Sequence, residues 1–193
     1  MKKETRILNV ELRTPENEEE KMIVEGYAIT FNSPATHGYT EVISPGALDN
    51  TDMSDVPLKY NHEDSHLIMA RTRNKSLELK KDEKGLFIKA ELIDTQSNKD
   101  IYKSIKAGLI DKMSFAFTVR EDEYDYDTDT RTITDIDRLY DVSVVDIPFY
   151  DSTSVYARGE SDEFLARREE LRKEHEAKKQ LDEAKNKLLA KLG

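Results

Sequence analysis

The chain contains no Cys and four His, at positions 37, 62, 66 and 175. Without thiols there is no cysteine nucleophile, no disulfide and no cysteine-ligated zinc. The catalytic options are then few, and one of them is a hydroxyl activated by an imidazole. That needs a base to take the hydroxyl proton and a third group to fix the imidazole tautomer. His62 stands in Asn61-His62-Glu63-Asp64, a polar, turn-like stretch just after Pro57–Tyr60. Ser114 sits in Met113-Ser114-Phe115-Ala116-Phe117-Thr118-Val119. Alternation there puts the large apolar side chains on one face and Ser114, Ala116 and Thr118 on the other. A small-residue face leaves room for a substrate carbonyl. Strand serines and turn histidines are mostly structural, so these residues permit a serine hydrolase without establishing one.

Two metal readings compete. His62 and His66 are four apart and would share a helix face, but no helical stripe surrounds them and no third ligand is evident. The acidic run 121–130 (EDEYDYDTDT) lacks the Gly and the ligand spacing of an EF-hand loop, and reads as a solvated acidic loop. Neither reading implies a cofactor or a resident metal.

The elements that would position these groups are mostly strands. Arg6–Leu12 and Met22–Phe31 are rich in β-branched and aromatic residues, with a turn at Pro15-Glu16-Asn17 between them. Ser44-Pro45-Gly46-Ala47-Leu48 has a capping residue followed by Pro, the start expected of a short helix. Leu77–Leu79 and Leu86–Leu92 flank a polar turn and predict a hairpin. Thr95 or Ser97 can cap a helix with Ile101, Ile105 and Leu109 on one stripe and Gly108 at its C-terminal end. Arg131–Asp137 and Leu139–Ile147 predict two more strands after the acidic run. From Glu160 to Lys191 there is no Gly or Pro, and Ala177, Leu181, Ala184 and Leu188 form a short seam of coiled-coil spacing. The organisation expected is a body of residues 1–158 and a charged helical tail of residues 159–193.

Composition narrows the class further. Of 193 residues, 37% are hydrophobic and 36% charged, with a net charge of −10. Residues 160–193 carry nine acids and nine bases, so the excess of acid lies wholly in the body. An acidic body repels phosphate backbones, which argues against nucleic acid and favours basic peptide segments. No stretch approaches the roughly 20 apolar residues of a membrane span, and no apolar signal segment follows the basic start, so a soluble intracellular protein is expected.

Several local patterns then occur in a telling order. Glu25-Gly26-Tyr27-Ala28 with Phe31 and Asn32 comes first, followed by Ile43-Ser44-Pro45-Gly46-Ala47-Leu48 and Leu58-Lys59-Tyr60-Asn61-His62-Glu63. Gly85-Leu86, Ala90-Glu91-Leu92 and Asp100-Ile101-Tyr102 continue it. The run Ile105–Phe117 and Leu139-Tyr140-Asp141-Val142-Ser143-Val144-Val145-Asp146-Ile147-Pro148 complete it. Together, across roughly residues 6–158, they resemble the tailed-phage prohead protease family. The resemblance implies a mainly β protein with peripheral helices (α+β), a β-barrel similar to that of the herpesvirus assembly proteases, with the helical tail appended. It implies a serine endopeptidase that cuts scaffold protein or the scaffolding segment of the major capsid protein, and itself, inside the prohead in the host cytoplasm. Self-association during assembly is part of that picture. Matched residue by residue, the family's histidine falls on His62, its serine on Ser114 and its acid on Asp141, where many relatives have Glu. Phe149 replaces a residue that is usually small. Alternation separates Asp141 from Asp146, placing Asp146 with the core-side Val142 and Val144 and leaving it a structural role near Ile147-Pro148; Asp111 is expected to serve the turn after the helix. The competing function is a non-catalytic assembly factor on the same fold, which would not need His62, Ser114 and an acid together.

Overall fold

The computed structural model describes residues 2–8, 12–14, 21–36, 39–64, 68–146 and 162–192. His37, His66, Pro15-Glu16-Asn17, Ile147-Pro148-Phe149 and the Arg158-Gly159 junction lie outside the described residues. In chain order the strands are β1 (Lys3–Leu8), β2 (Leu12–Arg13), β3 (Met22–Thr30), β4 (Ala35–Thr36), β5 (Thr40–Ile43), β6 (Pro57–Tyr60), β7 (Ala70–Arg71), β8 (Leu77–Lys81) and β9 (Gly85–Leu92). Helix α1 (Gln96–Lys106) leads to β10 (Lys112–Asp125) and β11 (Thr130–Val145), and α2 (Asp162–Leu192) follows. The described residues are mainly β with two helices.

One sheet runs β1-β10-β11-β5-β4, with β6 also on β11 and β7 on β6; the other runs β2-β3-β9-β8. Between them lie Val24, Ile29, Leu58, Leu86, Ile88, Met113, Phe115, Phe117, Ile136 and Leu139, each at most 1% exposed. Burying a side chain of this size stabilises by roughly 1.5–3 kcal/mol. Gly85 is required where β9 meets β3, because a Cβ there would stand 1.9 Å from the Ile29 carbonyl oxygen. The hairpin turn before it is fastened by Asp82, whose carboxylate accepts from the backbone N–H groups of Lys84 (2.9 Å) and Gly85 (3.0 Å).

The expected closed barrel does not form through backbone pairing among the described residues; the strands pair as two separate sheets. The larger sheet instead curls until side chains bridge it. In a flat sheet β1 and β5 would lie about 14 Å apart, three strand spacings. Yet Arg6 of β1 makes a two-pronged ion pair with Glu41 of β5, its Nη2 2.7 Å from Glu41 Oε2. Arg131 of β11 joins them, 3.0 Å from Glu41 and 2.8 Å from Glu4. Burial works against the charge on both guanidiniums, but the carboxylates around them prevail and raise their pKa values above the ordinary one.

Four local expectations are corrected. The acidic run is a hairpin, not a loop: β10 continues to Asp125 and β11 begins at Thr130. Two of its acids are held within the hairpin, Asp122 by Arg131 at 2.6 Å and Asp125 by the turn residues Asp127 and Thr128. Arg131–Asp137 and the stretch from Leu139 to Val145 belong to one strand, β11, with register shifts against β10 absorbing the irregularities. Ser44–Leu48 forms successive turns instead of a helix, with Ala47 and Asp49 bonded three residues back. The reason is the same for both. Residues 44–52 serve as the partner of β11 between β5 and β6, through Ser44 N–H to Ile133 O, Ile136 N–H to Ala47 O and Asp52 N–H to Asp137 O. Finally α1 stops at Lys106 and Leu109 is 72% exposed, so the apolar stripe ends at Ile105. Thr95, not Ser97, caps this helix, accepting from Asn98 N–H, and Gly108 follows it with φ of +72°.

Candidate active site

Ser114, His62 and Asp141 reach one another through three different backbones. Ser114 is the third residue of β10, between β1 and β11. Its cross-strand partner in β11 is Ser143, and Ala116 is opposite Asp141, so all four share a sheet face. His62 arrives from β6, which lies parallel to β11 with Tyr60 beside Val144. The strand ends in a tight turn, Tyr60-Asn61-His62-Glu63, closed by Glu63 N–H to Tyr60 O at 3.0 Å. Asn61 and His62 both have positive φ, 51° and 58°. Consecutive positive φ values are the signature of a type I′ turn, and each costs a non-glycine residue roughly 1–2 kcal/mol.

That conformation directs the His62 ring at both partners. His62 Nε2 is 2.5 Å from Ser114 Oγ. His62 Nδ1 is hydrogen-bonded to Asp141 Oδ1. Both ring nitrogens are therefore used, which leaves none for the metal site considered with His66. Among the described residues no three His, Asp or Glu side chains converge on a common cation position.

Asp141 is buried, with its side chain 1% exposed. Burial pushes its carboxyl up, but the bond from His62 and the charges of His62 and Lys3 outweigh burial and hold it below the ordinary carboxylate value. Lys3 Nζ lies 3.2 Å from Asp141 Oδ2 and Lys59 Nζ 4.0 Å from it. Chemically the arrangement offers a hydroxyl, a base touching it, and an ionised carboxylate on the far ring nitrogen.

Sequence reasoning missed several participants. Ser143 Oγ accepts from the His62 backbone N–H at 3.2 Å and donates to Asp141 Oδ1 at 3.1 Å, tying the turn to the acid. Alternation two residues from Asp141 could have placed it. Asp146 accepts from Tyr60 Oη and from Asn61 Nδ2, the two residues before His62. The hydrogen bond to Asp146, together with its charge, pushes the Tyr60 phenol up to about 12. Asp111 is far less involved, its carboxylate only 3.6 Å from Lys112 Nζ. The participation of β1 had no sequence signal at all. Ser114 is fully buried, and its Oγ donates to the Arg6 carbonyl oxygen at 2.7 Å. A cavity of about 590 Å³ lies elsewhere, on the β3-β9-β8 sheet between Lys21, Ser76 and Asp94, and includes none of the three residues.

Within a mainly β body a serine hydroxyl, an imidazole and a carboxylate stand in successive contact, the geometry a serine hydrolase uses. The chain matches the Caudovirus prohead serine protease family over residues 9–167, and it belongs to that family. It is 29% identical over 139 residues to the prohead protease of Enterobacteria phage HK97, an alignment covering 70% of this chain and 59% of that protein. The chain thus spans little more than half the length of that relative. No solved structure matches it.

Proposed function

We propose that the protein is a serine endopeptidase of prohead maturation. Ser114 is the nucleophile, His62 the base that takes its proton and returns it to the leaving amine, and Asp141 the carboxylate that holds the tautomer and favours the imidazolium. The observation that carries the reading is the relay of contacts from Ser114 Oγ through both His62 nitrogens to Asp141. Family membership supports scaffold protein or the scaffolding segment of the major capsid protein as substrates, with the chain itself as another. The setting is the prohead within the host cytoplasm; no helix among the described residues is long and apolar enough to cross a membrane. Residues 1–158 form the catalytic body and 159–193 a tail that addresses the protease to scaffold or to its own copies. The kinship with the herpesvirus assembly proteases belongs to this reading, supported by the mainly β body and its peripheral helix.

Incubation with the cognate capsid precursor, followed by mass spectrometry of the fragments, tests it. Discrete cleavage that disappears with Ser114→Ala is expected; an intact precursor would refute it. The complete burial of Ser114 favours one second reading, a non-catalytic assembly factor. Reaction of Ser114 with a phosphonylating probe separates the two.

A further inference from the structure

Ser114 is 0% exposed, yet a serine nucleophile must meet a carbonyl. The element beside it on the open side is β1, the edge strand of the sheet, paired antiparallel to β10 with Ile7 opposite Ser114 and Arg6 opposite Phe115. This strand engages two members of the site directly. Its Arg6 carbonyl takes a hydrogen bond from Ser114 Oγ, and its Lys3 ammonium pairs with Asp141. A serine hydroxyl has one proton to give. When that proton points at Arg6 O it is not delivered to His62 Nε2, so the site is complete but held at rest.

We infer that the edge of β10 covered by β1 is the substrate-strand site, that β1 is its internal occupant, and that the site takes an extended segment with Arg where its carbonyl meets Ser114. The inference rests on the serine protease reading above. Extended peptides commonly bind by adding a strand to a sheet edge, where backbone bonds supply affinity and alternate side chains supply selectivity. Here the alternate side chain is Arg6, on the face opposite the catalytic one. It passes over the Phe117 ring, 5.6 Å from its centroid, and ends in the two-pronged pair with Glu41. When β1 leaves, Arg6 and Glu4 leave with it, while Glu41, Asp122 and Arg131 stay behind. The stationary lining then holds two carboxylates and one guanidinium, and Glu41 has lost its bidentate partner. An incoming Arg restores that pair with its planar fork; a neutral residue leaves the buried carboxylate short of it. The acidic body and the internal occupant thus point to the same substrate chemistry, an extended basic segment.

The test uses the full chain and a small fluorophosphonate that reports access to Ser114. Wild type should label slowly and Arg6→Ala at least about tenfold faster, because loss of a buried ion pair raises the population with β1 detached. The hexapeptide Lys-Glu-Thr-Arg-Ile-Leu should slow the variant again, whereas Lys-Glu-Thr-Ala-Ile-Leu should not. Equal rates for wild type and variant, or equal effects of the two peptides, overturn the inference. Should the variant fail to fold, hydrogen exchange in wild type decides: β1 amides should exchange through local opening, well before those of β10 and β11. Exchange of β1 only in step with those two strands overturns the inference. No labelling of Ser114 in either protein, with β1 exchanging early, would instead refute the serine protease reading.

Discussion

Asp146 holds Asn61, the neighbour of His62, at two points. Asn61 Nδ2 donates to its carboxylate at 2.9 Å, and its own backbone N–H donates to Asn61 Oδ1 at 3.2 Å. With Tyr60 Oη on the same carboxylate and Asn61 N–H on Val144 O at 3.0 Å, the turn before His62 is fastened to the end of β11. Two positive-φ residues in a row are unfavourable in isolation, and these bonds offset that cost. The acid that touches the ring and the acid that fixes the turn are therefore different residues, Asp141 within β11 and Asp146 just past its end.

This division predicts different outcomes for two similar substitutions. Asp141→Asn should lower peptide turnover by roughly 10²–10⁴ with the fold retained, because the tautomer and the imidazolium lose their charged partner. Asp146→Asn should be milder. It should also bring the Tyr60 ionisation down from about 12 toward 10.0, since the phenol loses its carboxylate hydrogen-bond acceptor and the charge that acceptor carries. Steady-state kinetics and a spectrophotometric tyrosine titration check both. Loss of turnover in folded Asp146→Asn alone would reverse the assignment.

Ser114→Ala should abolish processing, on the scale of about 10⁶ in serine proteases generally. It should move the melting temperature little, because the lost bond to Arg6 O is worth roughly 1 kcal/mol. Precursor cleavage and thermal melting in parallel measure the two effects, and normal processing by this variant would remove Ser114 from the mechanism.

Asp141 also predicts an acid dependence of stability. Its folded pKa lies below the ordinary value of 3.8. A carboxyl shifted in that direction stabilises fully above its unfolded pKa and loses the contribution as pH falls toward the folded one. Wild type should therefore lose more stability than Asp141→Asn between pH 5 and the range below 3.8. Denaturant titrations at several pH values would show the two curves converging at the acid end.

Gly85→Ala should be among the most damaging single-methyl additions to the body. The new Cβ would meet the Ile29 carbonyl at 1.9 Å, so β3 and β9 must separate. A loss of roughly 1–3 kcal/mol or more is expected, read as a lowered melting temperature.

A chain ending at Arg158 should keep its activity on a short peptide and be incorporated poorly into proheads. Helix α2 meets the body at the tip of the β10–β11 hairpin, with Lys179 Nζ 2.5 Å from Asp127 and His175 stacked on Tyr126. Neither of these contacts involves His62, Ser114 or Asp141. Leu181 is 55% exposed, which suits a helix waiting for a partner. Loss of peptide cleavage on truncation would assign the helix to the catalytic body.

The sequence by itself determined what depends on local pattern. Alternation marked β3, β9 and the strand of Ser114, and capping and Gly108 marked α1; Asp146, expected on the core-side face of β11, instead lies exposed just past its end. The ordered short motifs carried a family resemblance, and that resemblance singled out His62, Ser114 and Asp141 as candidates. Long-range geometry decided the rest. The polar middle of β11 reads as a break, yet it stays a strand because the turns of residues 44–52 supply its hydrogen bonds. Asn61-His62 reads as an ordinary polar turn, and only its anchors on Val144, Ser143 and Asp146 hold both residues at positive φ. Arg6 lies 108 positions from Ser114. No local pattern sets an edge strand beside a nucleophile; long-range backbone pairing of β1 with β10 does, and Glu41 and Arg131 fasten that strand through the Arg6 guanidinium and Glu4.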